Sequence, residues 1–221
     1  MTTEPARLLP FPVTDAGIRL YCLPHAGGSA SAFRPWVGAL DGVAVCPVQP
    51  AGRETRLRDS PHETMAGCVR ELADFVLADT GGPYAVFGHS LGALIGFEVI
   101  REIRRRGSTL PVHFLVSGCV APQQAADEAA DELTDERIVE LLGSLGGTPA
   151  EFLDDPRILR MILPTVRTDL AVRNSYRYEQ LPPLGVPITT LTGTEDQRAG
   201  AAETAGWRDQ TVGRFRAHTL E

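Results

Sequence analysis

The chain has 221 residues, 43% of them hydrophobic and 22% charged, with 28 acidic against 21 basic side chains and a net charge of −7. That length and apolar content suffice for one sizeable core, so a single domain over residues 1–221 is expected. The acidic balance and the lack of a strongly basic stretch argue against nucleic acid as the main partner.

Short apolar runs alternate with longer helical patterns. Ile18–Leu23 reads as the first strand and Val43–Val48 as the second. Met65, Val69, Leu72, Ala73 and Val76 then fall on one helical face. Tyr84–Gly88 is the next strand, followed by a helix from Leu91 to Arg106 that Gly107 stops. His113–Gly118, Ile188–Thr192 and Phe215–Leu220 complete six predicted strands. Several are nearly continuous apolar runs, as expected of strands covered on both faces. The alternation predicts an α/β fold with a mostly parallel sheet flanked by helices.

Between Ala121 and Gln180 the rhythm breaks and no strand is evident. Gln123–Glu132 is rich in alanine and acids and reads as a mobile linker. Thr134 is a candidate N-cap, with Asp135 and Glu136 at the positive end of the helix dipole. Ile138, Leu141, Leu142 and Leu145 form its apolar stripe. Asp155-Pro156 starts a second helix, carried on by Ile158, Leu159, Ile162, Leu163, Val166 and Leu170, with a kink expected at Pro164. A run of this length exceeds what one crossover needs and suggests a helical lid inserted over residues 121–180.

The four cysteines, Cys22, Cys46, Cys68 and Cys119, form no CxxC pair and no zinc spacing, so neither a metal site nor a disulfide framework is expected. Met1–Pro12 lacks the layout of a signal peptide, and no apolar run approaches membrane-spanning length. The expectation is a cytoplasmic monomer that does not contact membranes. All 21 basic residues are arginine, which reads as codon bias.

The chemistry concentrates at three strand ends. Gly88-His89-Ser90-Leu91-Gly92 matches G-x-S-x-G, follows a predicted strand and opens a predicted helix. Such a turn holds the serine in a strained conformation and lifts its hydroxyl above the sheet edge. The helix N-terminus behind it favours developing negative charge. Ser90 is therefore the candidate nucleophile, and the Leu91 N–H a candidate oxyanion donor. Leu23-Pro24-His25-Ala26-Gly27-Gly28-Ser29 forms a loop after the first strand that can aim a second N–H at the oxyanion. It lacks the spacing of a phosphate-binding loop. His25 and His89 flank the site as scaffold. Asp196, in Thr192-Gly193-Thr194-Glu195-Asp196, is the candidate acid, with Glu195 as its neighbour and competitor. The base is the difficulty: a histidine is expected after the last strand, and His218 sits within that strand. The expected position lies just beyond Glu221, with His218 as the fallback.

These segments, together with Ser117-Gly118, Ala121-Pro122 and the Gly52-Arg53 pair, resemble type II thioesterases, the stand-alone editing enzymes of polyketide and nonribosomal-peptide synthesis. The resemblance spans nearly the whole chain and rests most specifically on Pro24–Ser29. Ala51 replaces a proline usual in that family, and Cys119 stands where arginine is frequent. The resemblance implies an α/β-hydrolase with Ser90 as nucleophile, Asp196 as acid, and the N–H groups of Ala26 and Leu91 as oxyanion donors. It places the histidine in a Gly-Gly-His segment after a strand like 215–220. The implied reaction is hydrolysis of acyl groups from the phosphopantetheine thiol of acyl or peptidyl carrier proteins. The pantetheine belongs to the partner, so no cofactor or metal is expected.

Three rival readings remain at this level: a carboxylester hydrolase, an acyltransferase, or a non-catalytic carrier-binding homologue of the same fold. Carrier proteins are acidic and so is this chain, so docking calls for a local basic patch. Arg53, Arg56 and Arg58, or Arg104, Arg105 and Arg106, are the candidate clusters.

Overall fold

In a computed structural model, which describes residues 8–13, 17–79, 82–127, 133–196 and 198–221, six strands form one sheet. They are β1 (Ile18–Leu23), β2 (Val43–Pro47), β3 (Tyr84–His89), β4 (His113–Ser117), β5 (Ile188–Gly193) and β6 (Phe215–Leu220). Their order is β2-β1-β3-β4-β5-β6 and every pairing is parallel. All six predicted strands are present within a residue of their predicted bounds.

Alternation along the strands divides the core between the two faces. Tyr21 and Leu23 of β1 point to a large cluster that holds Leu72, Phe75, Leu94, Phe97, Phe114 and Trp207. Helices α1 (Met65–Ala78) and α2 (Leu91–Arg105) contribute to that cluster. Leu20 and Cys22 point the other way, onto Val45, Phe87 and Phe33 of the 3₁₀ helix Ala30–Trp36. Cover on both faces is why the central strands are apolar at consecutive positions. Burial also raises the thiol pKa of Cys22, and that of Cys46 to about 11. These side chains behave as small hydrophobes rather than reactive thiols.

The helices after β4 are α3 (Pro122–Asp127), α4 (Asp135–Ser144), α5 (Ala150–Leu153) and α6 (Pro156–Asn174), and α7 (Ala201–Thr204) follows β5. Thr134 accepts from the Arg137 N–H and Asp155 from the Arg157 N–H, so both predicted N-caps are made. Helix α6 runs through Pro164 without a break. Ile138, Leu142, Leu163, Val166 and Leu170 form a third cluster, separate from those on the sheet. The mobile linker expected over Gln123–Glu132 is corrected in its first part. Residues 123–127 belong to α3, Ala125 is buried, and the Gln123 amide donates to the Gly206 carbonyl and accepts from Gln210. Alanines there provide a small surface that packs on the core. The rest of that segment, 128–132, lies outside the described residues.

Two glycines fix the junction of β3 and α2. A Cβ on Gly92 would lie against the Leu23 carbonyl and 2.6 Å from the Pro24 carbonyl oxygen; one on Gly88 would lie 2.5 Å from the Ala93 Cα. Backbone cannot yield as a side chain end can. Gly92→Ala should therefore destabilise the fold by about 3 kcal/mol, at the upper end of overpacking costs. Gly147→Ala, where a Cβ meets nothing within 4 Å, should change stability by less than about 0.5 kcal/mol. Urea midpoints of the two variants against the parent check this; equal midpoints would remove the steric argument.

Candidate active site

Ser90 sits between β3 and α2 with φ 52° and ψ −119°, a left-handed backbone conformation held by its surroundings. The Ser90 N–H donates to the Ser117 carbonyl at 2.8 Å, and the Ser90 carbonyl accepts from the Ala93 N–H at 2.8 Å. The turn is thus anchored on the neighbouring strand and on the first turn of α2. Ser90 is half-buried, at the carboxyl edge of the sheet.

The loop after β1 crosses the same edge. Gly28 N–H donates to the His25 carbonyl at 2.9 Å, which closes a tight turn through Ala26 and Gly27. Gly27 adopts φ +79° and leaves room for Val166 of α6, whose Cγ2 would lie 2.8 Å from a Cβ at that position. Among the described residues nothing accepts a hydrogen bond from the N–H of Ala26 or of Leu91. Two backbone donors are thereby left for a ligand at the point where β1 and β3 end.

Asp196 lies beyond β5. Its Oδ1 accepts from the N–H groups of Arg198 and Ala199 at 3.0 and 2.9 Å, and Asp196 N–H donates to the Gly193 carbonyl. Glu195 is exposed and makes no hydrogen bond among the described residues, whereas Asp196 is half-buried. Fixed orientation therefore distinguishes Asp196 from its neighbour. A cavity of about 540 Å³ opens here, lined by His89, Ser117, Gly118, Asp196, Leu220 and Glu221 among others.

His89 and His25 meet edge to face with ring centroids 5.7 Å apart. Desolvation lowers the pKa of both rings from the usual imidazole value. His89 Nδ1 pairs with the Ser117 hydroxyl at 3.0 Å, which fits the scaffold role expected of it. His218 is exposed within β6, in register with Leu191 of β5, and does not line the cavity beside Asp196. The fallback assignment of His218 as base is thus unsupported by its position. The expected position beyond Glu221 lies outside the described residues.

The basic cluster expected to dock a partner through Arg53 and Arg56 is corrected. Both side chains are buried. Arg53 makes a two-pronged ion pair with Asp169 at 2.6 and 2.7 Å, and Arg56 pairs with Glu71 and Asp59. Burial alone would raise the Glu71 carboxyl, but hydrogen bonds from His62 and Arg56 outweigh it and hold it at about 2. Of that cluster only Arg58 is exposed. In the second cluster Arg104 donates to the Pro182 and Pro183 carbonyls, and Arg105 and Arg106 pair with Glu102. Sequence reading gave Asp169 no role. The available signal was a carboxylate one helical turn beyond Val166 and beside Leu170, on the apolar side of its helix.

Comparison with known proteins places this geometry. A family model for the thioesterase domain matches residues 18–221. The chain is 38% identical over 202 residues to the gramicidin S biosynthesis protein GrsT of Aneurinibacillus migulanus, covering 90% of this chain and 79% of that protein. The thioesterase RedJ from the prodiginine biosynthetic pathway in Streptomyces coelicolor superposes with a TM-score of 0.86 at 36% identity, covering 99% of this chain and 91% of its own. The type II thioesterase BorB from the borrelidin biosynthetic cluster superposes with a TM-score of 0.83 at 34% identity, covering 96% of this chain and 87% of its own. A parallel sheet carrying a strained serine elbow, together with these likenesses across nearly its full length, makes this chain a member of the thioesterase family, a serine hydrolase of the α/β-hydrolase fold that acts on thioesters.

Proposed function

We propose that this chain is a type II thioesterase that removes stalled or aberrant acyl groups from the phosphopantetheine arm of acyl or peptidyl carrier proteins on an antibiotic-type assembly line. The observation that carries the reading is the strained Ser90 elbow at the sheet edge where the N–H groups of Ala26 and Leu91 have no acceptor among the described residues. It is supported by relatives from gramicidin S and prodiginine biosynthesis. Among the described residues no helix is long and apolar enough to cross a membrane, which agrees with work on carrier proteins in the cytoplasm.

In this mechanism the Ser90 hydroxyl oxygen attacks the thioester carbonyl carbon while a histidine takes its proton. The Ala26 and Leu91 N–H groups hold the oxyanion of the tetrahedral intermediate. The C–S bond breaks, the pantetheine sulfur leaves with the proton from the imidazolium, and an acyl ester remains on Ser90. Water then attacks that ester by the same route and releases the free acid. Asp196 orients the imidazole and stabilises its charged form. The resemblance expects that histidine after a strand like β6; Leu220, the last residue of β6, and the adjacent Glu221 line the same cavity as Asp196. Helices α4–α6, with an apolar cluster of their own, act as a lid that shields the acyl chain from water.

The test compares one acyl group presented three ways: on holo-carrier protein, on free pantetheine, and as a simple oxygen ester. The full-length enzyme should show its highest kcat/KM on acyl-carrier and release only free acid and holo-carrier, even with added amine or alcohol. Preference for the oxygen ester would establish the carboxylester hydrolase instead. Acyl transfer to the added nucleophile would establish the acyltransferase.

A further inference from the structure

The loop that carries Ala26 is not held by its own turn alone. Asp169, on helix α6, reaches it from a distant part of the chain. Asp169 Oδ2 accepts the Gly27 N–H at 2.7 Å and also one Arg53 Nη1–H at 2.7 Å, while Oδ1 accepts from Arg53 Nη2 at 2.6 Å. Arg53 Nη1 donates in turn to the Gly28 carbonyl at 2.8 Å. The ion pair therefore grips the loop by one N–H and one C=O at adjacent residues, next to Ala26. Its two side chains are only 9% and 14% exposed, so solvent screens the pair little. Asp169 also lines, with Leu91 and His25, a small cavity of about 60 Å³. The carboxylate thus contacts the residue next to Ala26 and shares a cavity with Leu91, while it belongs to neither of their elements.

We propose that Asp169 is a positioning residue for the oxyanion hole, and that through it helix α6 sets the catalytic competence of the Ala26 N–H. This rests on the assignment of Ser90 and of the Ala26 and Leu91 donors made above. A charge-assisted bond from the Gly27 N–H fixes the peptide plane one residue beyond Ala26. Arg53 keeps the carboxylate in place and prevents the loop from rotating about that single bond. Oxyanion stabilisation depends on donors aimed at where charge develops, and misplacement by about 1 Å costs on the order of a hundredfold. Movement of α6 away from the sheet would withdraw Asp169 and release the loop. The hole is therefore complete only while α6 is seated against it.

The experiment uses Asp169→Ala and Asp169→Asn in the full-length enzyme. Asp169→Ala should lower kcat about tenfold to a hundredfold on acyl-carrier and acyl-pantetheine alike, with KM within about twofold, because the ground-state carbonyl scarcely uses the hole. Asp169→Asn keeps one oxygen for Gly27 and should recover part of the loss. Both should weaken a boronic acid transition-state analogue by the same factor as kcat. Since Asp169→Ala leaves Arg53 unpaired and could unfold the protein, the Asn variant carries the argument if the Ala variant is not folded by circular dichroism. A third readout is independent of chemistry: in a Ser90→Ala background, the Gly27 amide proton resonance should lie downfield and move upfield on Asp169→Asn. An unchanged kcat in the Asn variant, or a rise in KM that accounts for the loss, overturns the proposal. Activity that survives Ser90→Ala would instead overturn the nucleophile assignment and leave the Gly27 resonance unaffected, so the two failures are distinguishable.

Discussion

Ser90→Ala should reduce thioester hydrolysis by about a millionfold, the scale seen when a serine nucleophile is removed from a catalytic triad. The expectation follows from the elbow itself. A serine at φ 52° lies in a sparsely populated region for a residue with a Cβ, and conformations of that kind cost about 1–3 kcal/mol. Here the Ser117 carbonyl, the turn of α2 and the two glycines hold it there. The serine-to-alanine change leaves those contacts in place, so the thermal midpoint should stay close to the parent while turnover collapses. A fluorophosphonate should add once to the full-length enzyme, on the peptide that contains Ser90, and not to the variant. Labelling that persists in the variant would show that another group is the nucleophile.

Asp196→Asn should lower kcat by about ten-thousandfold, the loss that accompanies a wrong imidazole tautomer in a serine triad. The carboxylate is held by two N–H groups through Oδ1, and its Oδ2 would lie 3.7 Å from a Cβ on Gly118, on the cavity side. An asparagine can keep the anchoring bonds and still fail to accept from an imidazole N–H. The change should therefore appear in kcat with little effect on KM. Glu195→Gln and His218→Ala, at exposed positions, should each leave kcat within about twofold, as surface substitutions usually do. A large loss in Glu195→Gln with a mild one in Asp196→Asn would exchange the two carboxylates. A large loss in His218→Ala would make that histidine the base.

These expectations divide by how far apart in the chain their causes lie. Strands such as Ile18–Leu23 and Tyr84–His89 were readable because burial on two faces leaves an apolar run within a single segment. The nucleophile elbow was readable for the same reason: strand, turn glycines, serine and helix are contiguous, so local sterics specify the geometry. Asp196 was a candidate acid from its place just after a late strand, because a parallel sheet delivers all its strand ends to one edge. The N-caps at Thr134 and Asp155 are local as well.

The arginines show the opposite case. A run of Arg53, Arg56 and Arg58 has the same composition whether it is solvated or buried. What buries Arg53 is a carboxylate 116 positions away, brought to it when helix α6 packs against helix α1. What buries Arg56 is Glu71 on helix α1, oriented by the packing of that helix. Neither pairing has a sequence period, and each is favourable only once the charges are close together and shielded from water. Helix α3 is similar, since the partners that order Gln123 are Gly206 and Gln210. Local propensity and hydrophobic period therefore specified the elements and the elbow. Long-range packing decided which charges face solvent, and it set Asp169 against the loop of Ala26, because an ion pair between distant segments exists only after the fold has brought them together.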